Sequence, residues 1–582
     1  MDPLTASILA AAAVSEDTEV SQLAIRLQAA LQRRPAGEPV ESLLPLLSHA
    51  WLTVWQRYGG TDAGFLRNVD WVLERLVAGD RQAIAEGSPA PYIGREIQCV
   101  LWHAGFVDPA EQKESGRAWL LGAVAPHLPA AERPEALRRA LQSALAVASE
   151  QSRAWHLSNL APHLPEAVYQ AVLGLEDEEA RAEVLSKLAP HLPEAVYQAA
   201  LSLSEEADRA HALSAVVPHL LEGQRSEALQ AALTLEDERE RAWVLSELAP
   251  HRPEAVYMAA RALADDGERA WLLRDVATHL PEAERAEALE QALQSGSSLT
   301  EEWERERVLS ALAPHLPEAV YQAALSRLEK MDRASALISV APHLPAADQA
   351  EALRQALEST LAEPDENERA SVLSELAPLL PDAVYQAALA LADESRRAWV
   401  LSELAPHRPA AVYQAALALA DEGDRARTLS AVAPHLPEAE QAEALRQALR
   451  SALAVTYDST RAWVLCIVAP RLPEAERAEA LRQALEATLT LAEEEARLSR
   501  LYELTPTLVT LPAAALYECW AAVLPLLKEQ PRAAVLGIVT LLVTVIAALG
   551  SEAALSQTLW AVEEVDRWWP PAGGGEVPES HP

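Results

Sequence analysis

Apolar residues recur at helical spacing in a unit that is repeated from about residue 117 to residue 531. The copy Arg397–Asp424 reads RAWVLSELAPHRPAAVYQAALALADEGD, and its near-copies share the tag R-A-x-x-L-x-x-[LV]-A-P-H-L-P. Apolar residues in the first half of this copy follow the i, i+3, i+6, i+7 spacing of one buried helical stripe: Ala398, Leu401, Leu404 and Ala405. The pattern therefore predicts one amphipathic helix, helix A, in the first half of every unit.

Proline and aspartate predict where the helices of the unit begin and end. Pro406 should end helix A, because proline lacks a backbone donor and clashes inside a helix. Pro409 suits the first position of a second helix, helix B, which is predicted to run through Ala410–Ala420. An aspartate four residues before the opening arginine predicts an N-cap, often with the acid of a capping box three residues later: Asp177, Asp237, Asp265, Asp365, Asp393 and Asp421.

The spacing of the units predicts how they assemble. The opening arginine recurs at positions 117, 153, 181, 209, 241, 269, 305, 333, 369, 397, 425, 461 and 497, so the unit has a short form of 28 residues, a long form of 36 and one form of 32. Eight extra residues are about two helical turns, which preserves the buried face. Because a hairpin of two short helices cannot bury both faces alone, the units must stack. The predicted fold is all-α: an α-solenoid of about 13 helical hairpins with an N-terminal helical domain.

Regularity of the sequence divides the chain into four predicted parts. Residues 1–112 form the N-terminal helical domain, 113–531 the helical-repeat solenoid, 532–570 the C-terminal capping helices and 571–582 a disordered tail. Helical patterns in the first part cover Leu4–Leu31, Val40–Tyr58, Ala63–Ala85 and Ile93–Phe106. They carry tryptophans that are predicted to form a core aromatic cluster: Trp51, Trp55, Trp71 and Trp102.

One segment near the end has two interpretations. Ala533–Gly550 has no charge over 18 residues, which is the lower limit for a membrane span. It also falls at the repeat spacing, with Arg532 in the position of the opening arginine. We expect a buried last helix rather than a membrane anchor.

Composition and charge narrow the class of partner. The chain has 86 Asp and Glu against 48 Lys and Arg, a formal net charge of −38, and such a surface repels phosphate backbones and anionic lipid. We therefore expect no nucleic-acid ligand. Three distant cysteines and a start without a basic region before its apolar run predict a cytoplasmic protein. No GxxxxGK[ST], GxGxxG, HExxH or GxSxG motif occurs, so we predict no cofactor, no metal and no enzyme activity.

Ten of the 15 histidines occupy the position that follows the proline of helix A, with Thr278 in place of that proline before His279: His127, His163, His191, His219, His251, His279, His315, His343, His407 and His435. An imidazole there can donate to the free carbonyls of helix A and face the negative end of its dipole. We predict this capping role. The alternatives are a row that senses pH or binds anions, and metal binding, which the helix spacing of about 8–10 Å disfavours.

The opening arginines oppose the dipole of helix A, so they need anionic partners. Acids at the ends of neighbouring helices, such as Asp393, Glu394, Asp421 and Glu422, are the predicted partners in a ladder of structural pairs. Recognition of an acidic ligand by the arginines is the alternative. The six short units also share a tyrosine in helix B, predicted to pack between neighbouring hairpins rather than to stack on a ligand: Tyr169, Tyr197, Tyr257, Tyr321, Tyr385 and Tyr413.

The position two residues after the opening arginine, which we call the tryptophan slot, varies most between units. It holds tryptophan in six units: Trp119, Trp155, Trp243, Trp271, Trp399 and Trp463. Glu183, His211 and Arg427 occupy the same slot elsewhere, and a core position would hardly accept that mixture. The slot is predicted to be at least half exposed, and these six residues are the candidate partner-binding residues, with ordinary partial burial as the alternative.

One pair of residues suggests an alternative function. Cys99 and His103 would lie one turn apart on a helix, where a thiol and an imidazole could act as nucleophile and base. This would make the chain a regulatory enzyme with a site in its N-terminal domain. No Asp or Asn can be placed as the third member, and such pairs are commonly packing residues.

The repeat tag and the ending LLVTVIAALGSEAALSQTLWAVEEVDRWWP resemble the TPR-like or HEAT-like helical-repeat regions attached to bacterial STAND or NACHT-type signalling NTPases. The resemblance covers about residues 117–570. It implies a sensor or protein-interaction array in signalling or defence, with a protein or peptide partner. Because the chain lacks the NTPase's phosphate loop, three alternatives stay open: the protein acts alone, it pairs with a separate NTPase or effector protein, or it has lost that link. We predict a non-enzymatic scaffold that binds its partner along the solenoid.

Overall fold

A computed structural model describes residues 62–107, 113–328 and 330–568. All regular elements in these ranges are helices, and no strand occurs among them, which confirms the predicted all-α helical-repeat fold. The helical patterns Leu4–Leu31 and Val40–Tyr58, Trp51, Trp55 and the tail 571–582 lie outside the described residues, as does the side chain of Trp71. Trp102 is buried, and the other two predicted N-terminal helices are present.

The contacts between residues divide the chain into two compact units. Unit 1 combines Met1–Val147 with Tyr457–Pro582, and unit 2 is Ala148–Thr456. These limits differ from the sequence boundaries at 112, 531 and 570, because they follow packing and not regularity of sequence. The four parts defined by sequence stay a prediction.

Unit 2 consists of ten helical hairpins, in which odd-numbered helices are helix A and even-numbered helices are helix B. Their bounds are α5 Glu150–Leu160, α6 Pro165–Val172, α7 Glu178–Leu188, α8 Pro193–Leu201, α9 Glu206–Val216, α10 Glu222–Leu233, α11 Glu238–Leu248, α12 Pro253–Arg261, α13 Asp266–Ala277, α14 Glu282–Ser298, α15 Glu302–Leu312, α16 Pro317–Arg327, α17 Lys330–Val340, α18 Ala346–Leu361, α19 Glu366–Leu376, α20 Pro381–Leu389, α21 Glu394–Leu404, α22 Pro409–Leu417, α23 Glu422–Val432 and α24 Glu438–Ala454. Within unit 2, each helix A packs against helix A of the next repeat and against the helix B before it.

In the described part of unit 1, ten helices are present. They are α1 Asp62–Ala85, α2 Ile93–Val107, α3 Lys113–Val124, α4 Arg133–Ala146, α25 Asp458–Val468, α26 Glu474–Leu489, α27 Glu494–Leu508, α28 Ala513–Leu527, α29 Arg532–Leu541 and α30 Val543–Trp568. Short 3₁₀ turns follow helix A in most of the longer units: Ala125–His127, Val217–His219, Ala341–His343, Ala433–His435 and Ala469–Arg471.

Local signals placed the helices of unit 2 correctly. Helix α21 begins after Asp393, whose side chain accepts from the Arg396 amide, and it ends at Leu404, before Pro406. Helix α22 begins at Pro409 and ends at Leu417, three residues earlier than expected. The long units differ by a longer helix B, since α24 has 17 residues where α22 has nine. The extra residues therefore extend one helix by two turns, as predicted.

Tyrosine in helix B connects neighbouring hairpins. The hydroxyl of Tyr169 donates to the carbonyl of Ala195 in the next helix B at 3.3 Å, and Tyr385 makes the same bond to Ala411 at 3.3 Å. Tyr197 is buried. These contacts confirm the packing role between hairpins.

The opening arginines are structural, but the prediction of acids on neighbouring helices is wrong. Arg241 donates to the carbonyl of Leu235 at 2.9 and 2.6 Å, and Arg369 donates to the carbonyl of Glu363 at 2.7 Å. Where a salt bridge is present, the acid lies three residues earlier on the arginine's own helix, as in Arg369–Glu366 at 2.9 Å and Arg425–Glu422 at 2.7 Å. Glu422 is thus a partner as predicted, but of the arginine on its own helix. The opening arginine thus holds the loop that precedes helix A. The spacing of the arginines along the sequence does not show this contact.

A glutamate at the first position of helix A joins consecutive units. The carboxylate of Glu238 accepts from the amides of Ala264 and Asp265 at the next N-cap, at 2.9 and 2.7 Å. Equivalent bonds run from Glu150, Glu178, Glu206, Glu366 and Glu394 to the amides 26 to 31 residues further on. This inter-unit clasp, which joins two consecutive repeats, gives hydrogen-bond partners to amides that have none within a helix. The same amide donors hold the pKa of Glu238 below its ordinary value.

Glu238→Ala should weaken the clasp and free the amides of Ala264 and Asp265. We expect faster hydrogen exchange at these two amides and a loss of about 1 kcal/mol in stability, the usual cost of a lost cap. Because the pKa of Glu238 is lowered on folding, its contribution is present above pH 4.5 and is lost as the pH falls. Glu290→Ala, at an exposed position of α14, is the matched control. Equal exchange at residues 264 and 265 in both variants would contradict the role of the clasp.

The histidine row does not cap helix A through its side chains. The backbone amide of His407 donates to the carbonyl of Leu404 at 3.0 Å, and His163 makes the same bond to Leu160. The imidazoles are exposed, apart from half-buried His251, and in the described ranges none of the ten makes a side-chain hydrogen bond. The capping prediction is wrong for the imidazole, because the amide already supplies the donor.

Unit 1 brings the two ends of the chain together. Helix α2 packs along α30, α1 packs against α28, and α3 packs against α29. Arg81 pairs with Glu518 at 2.6 and 2.9 Å, Lys528 pairs with Asp70 at 2.7 Å, and Arg95 stacks 3.9 Å from the ring centroid of Trp560.

Two buried carboxyl groups lie between α1, α2 and α28. Glu96 accepts from the Tyr517 hydroxyl and from the Trp520 indole, both at 2.7 Å. Asp80 accepts from the Tyr92 amide at 2.8 Å, and its carboxyl group lies near that of Glu96. Burial raises the pKa of both carboxyls. Since Glu96 already faces two donors, we place the shared proton on Asp80, whose second oxygen has no other partner among the described residues.

The apolar segment Ala533–Gly550 forms the end of the packed core of unit 1. It spans α29 and the first part of α30, so no single helix covers it. Val535, Ile538, Val539 and Ile546 are buried, which agrees with the buried interpretation. Within the described residues, Val543–Glu563 is long and apolar enough to cross a membrane, but half of it is buried, and Ser551 interrupts it with non-helical angles.

Candidate partner-binding site

The outer face of helix A is formed by positions that recur around the opening arginine. The residues two before, one before, two after and six after it fall on one side of the helix at 100° per residue. Slot residues of consecutive units touch there, since the rings of His211 and Trp243 lie 5.5 Å apart and Arg307 lies 5.4 Å from the ring centroid of Trp271. At these two places, the slot residues of consecutive repeats therefore lie side by side.

The six predicted tryptophans are all partly exposed, but none of them reaches the half exposure that the sequence pattern predicts for this slot. Trp155 and Trp243 are each 43 % exposed, and Trp119, Trp271, Trp399 and Trp463 are half-buried. Trp119 belongs to unit 1 and packs against Gly537 of α29, where an added Cβ would lie 3.1 Å from the indole. Trp119 thus has a packing contact within unit 1. Partner binding by all six tryptophans stays a prediction.

A groove of about 500 Å³ opens on the outer faces of α11, α13 and α15. Trp271 and Trp303 provide its aromatic walls, and Gly267 and Leu299 line it between them. Trp303 is 52 % exposed. The indoles offer flat apolar area with few rotatable bonds, which suits an anchor for a partner side chain.

Cations of the chain itself already lie over these rings. The guanidinium of Arg274 lies 4.6 Å from the ring centroid of Trp271. Arg307 lies 5.4 Å from Trp271 and 5.7 Å from Trp303, between the two rings. These distances are within the range of cation–π attraction, so the groove has a geometry that accepts a positive group.

Carboxylates surround the groove and repel one another. Asp265, Glu268 and Glu304 line it together with Arg239 and Arg307. Burial raises the pKa of Glu268, and the nearby carboxylates of Asp265, Asp237 and Glu240 raise it further, while Arg239 lowers it. The acids therefore outweigh the cations at this site.

Two groove residues were not among the sequence candidates. Trp303 stands two residues before its opening arginine, and Arg307 occupies the tryptophan slot of the same unit. The signal was present in EEWERER, where tryptophan stands at a position that other units fill with varied residues. Only the packing of α13 beside α15 shows that Trp303 faces Trp271.

The structure does not favour a Cys99 nucleophile. Cys99 is 2 % exposed, and burial, with Glu96 nearby, raises the pKa of its thiol. His103 Nε2 lies 3.0 Å from Asp70 Oδ1, and burial lowers the pKa of its imidazole. A thiol held neutral and closed to substrate cannot start nucleophilic chemistry. Among the described residues, no three His, Cys, Asp or Glu side chains are grouped so that they could hold a metal ion.

No protein-family model and no curated protein matches the chain. A crystal structure of Kap121p bound to RanGTP is 12 % identical, and the match covers 94 % of this chain and 78 % of that one with a TM-score of 0.34. UNC-45 from Drosophila melanogaster is 11 % identical over 97 % of this chain and 88 % of that one, with a TM-score of 0.22. Ton1535 from Thermococcus onnurineus NA1 is 17 % identical over 50 % and 97 %, with a TM-score of 0.21. These scores carry no argument about partners or activity.

Proposed function

We propose that the chain is a non-enzymatic helical-repeat scaffold that binds a protein partner, or a peptide segment of it, at the groove between Trp271 and Trp303. The observation that carries the proposal is the pair of partly exposed indoles that face one groove on neighbouring helices. Large exposed aromatic side chains around a concave surface are typical of binding sites. The repeats supply a rigid support on which the groove residues can vary without disturbing the core.

The wider setting of the proposal rests on the sequence resemblance alone. Under it, the protein acts in bacterial signalling or defence, and the partner is a separate NTPase or effector protein. The cytoplasmic location is proposed separately, from the three distant cysteines. The high acid content supports a protein partner over nucleic acid, since a net charge of −38 opposes binding to phosphate backbones.

The proposal is tested by capturing partner proteins with the unmodified chain and comparing their affinity for a variant without the two groove tryptophans. The full chain is immobilised, partners are captured from an extract of the source cells and identified by mass spectrometry, and each is then titrated in pure form. We expect one partner to bind the unmodified chain and to bind the Trp271→Ala, Trp303→Ala double variant at least tenfold more weakly. Loss of two aromatic contacts at a binding centre is of that size or larger.

The control is Tyr502→Ala, which removes an aromatic side chain that is 73 % exposed and lies outside the groove. All variants should keep the circular dichroism spectrum and the melting temperature of the unmodified chain, because none of the three side chains that are removed is buried. A partner whose affinity is the same for the double variant and the unmodified chain would refute the groove as its site.

A further inference from the structure

We propose that the occupant of this groove is a positively charged segment of the partner protein, with an arginine or lysine side chain seated between Trp271 and Trp303. The inference rests on the proposed function and adds to it the chemical class of the partner. It stands on the placement of cations over the indoles, on the carboxylates around them and on the position of Arg307.

The indoles hold guanidinium groups in the structure itself. Arg274 and Arg307 approach the ring of Trp271 at 4.6 and 5.4 Å, and Arg307 also approaches Trp303 at 5.7 Å. The negative face of an indole attracts a cation in this way whether the cation belongs to the chain or to a partner. The space between the rings is therefore matched to a guanidinium or an ammonium group.

The charge around the rings favours the same occupant. Three carboxylates and two arginines line the groove. The outer faces of neighbouring helices add carboxyl groups whose pKa is raised, first by burial and then by nearby acids: Asp208, Glu247 and Asp332. Burial and the nearby Glu306 raise the pKa of Glu375 in the same way. A partner cation would relieve this repulsion, and a partner carboxylate would increase it.

Arg307 acts as an internal competitor for the rings. Its side chain is exposed, and within the described residues it makes no salt bridge that would fix it between Trp271 and Trp303. A partner arginine can take the same place once Arg307 turns toward solvent. Replacing Arg307 should therefore raise the affinity for a basic partner and lower the affinity for an acidic one.

Selection from a random nine-residue peptide library displayed on phage tests the proposal on the full chain. Peptides that bind the unmodified chain are depleted on the Trp271→Ala, Trp303→Ala double variant, so that only groove-dependent peptides remain. We expect these to carry net positive charge, and replacing their key arginine or lysine by glutamine should weaken binding about tenfold. Enrichment of acidic or uncharged peptides, or the absence of any groove-dependent peptide, would overturn the proposal.

Arg307→Gln gives the second test, with one of the selected peptides as the probe. Removal of the competing cation should raise the affinity for the basic peptide two- to tenfold, whereas Glu268→Gln with Glu304→Gln should lower it by a similar factor. Weaker binding to Arg307→Gln would show that the arginine contacts an anion of the ligand, and it would refute the proposal. Both substitutions leave the indoles in place, so they do not depend on the folding of the tryptophan variants.

The two proposals fail in different ways. If the captured partner needs Trp271 and Trp303 but the selected peptides are acidic or neutral, the groove is the binding site and only the charge class is wrong. If the captured partner binds the double variant as well as the unmodified chain, the proposed function itself fails.

Discussion

Replacement of Gly94 by alanine is expected to destabilise unit 1 by about 1–3 kcal/mol or more, which is the range for overpacking a closed interface. An added Cβ would lie 2.4 Å from Gln557 Cβ and 2.7 Å from the Gln557 carbonyl carbon. A backbone atom cannot yield as the end of a flexible side chain can, so α2 and α30 would have to separate. Thermal unfolding and hydrogen exchange of α30 measure the effect.

Gly223→Ala is the matched control for this substitution. Gly223 is also the second residue of a helix, and an added Cβ there would have nothing within 4 Å of it. Alanine there should stabilise α10 by up to about 1 kcal/mol, because glycine is the weaker helix former. Similar unfolding curves for Gly94→Ala and Gly223→Ala would show that α2 and α30 do not pack as closely as described.

The stability of unit 1 should fall as the pH rises from about 5 to 8. Burial raises the pKa of Asp80 to about 8 and that of Glu96 to about 7, from ordinary values of 3.8 and 4.5. Because the folded state holds these protons more tightly than the unfolded state, stability is fully present below the ordinary values and is lost as the pH rises through the raised ones. Each proton contributes a slope of about 1.4 kcal/mol per pH unit.

Asp80→Asn should remove part of this pH dependence and raise the stability at pH 8. Asparagine keeps the oxygen that accepts from the Tyr92 amide, and its amide group donates toward Glu96 as the protonated acid does. The measurement is the free energy of unfolding of both chains between pH 5 and pH 8. The difference between them isolates Asp80 from His103, whose lowered pKa gives the opposite dependence at low pH.

Glu96→Gln is the contrasting variant. A glutamine that accepts from the Trp520 indole turns its amide group toward the Tyr517 hydroxyl, which can accept that bond and donate to the Val77 carbonyl at 3.2 Å. Since the indole and the hydroxyl both keep partners, we expect a loss of only about 0.5–1.5 kcal/mol at pH 5, the net value of one hydrogen bond. If Asp80→Asn keeps the slope of the unmodified chain, the proton does not reside on Asp80.

The helices of the repeat could be predicted from sequence because their signals are local. Asp393, Pro406 and Pro409 determine where helices begin and end within a few residues of themselves, and the structure agrees at each. The inter-unit clasp could not be predicted, because the amides bonded to Glu238 lie 26 and 27 residues away. Their closeness depends on how one hairpin stacks on the next.

The candidate site was predicted in part. The slot containing Trp271 was identified from its variability, which needs only an alignment of the repeats. Trp303 was missed because it occupies a different position of its unit and meets Trp271 only across two packed helices. The contact of Gly94 with Gln557 was also beyond sequence analysis, since no pattern relates positions so far apart.

Assembly of unit 1 from both chain ends has a consequence for synthesis on the ribosome. Helix α2 ends at Val107, and its partner α30 begins at Val543, so about 430 residues are made between them. At roughly 5–20 residues per second this takes about 20–90 s. During that time the side of α2 that includes Ile93 and Gly94 lacks the surface of α30 that later covers it. The nascent N-terminal helices are therefore natural clients for a chaperone, while the hairpins of unit 2 can fold in the order in which they emerge.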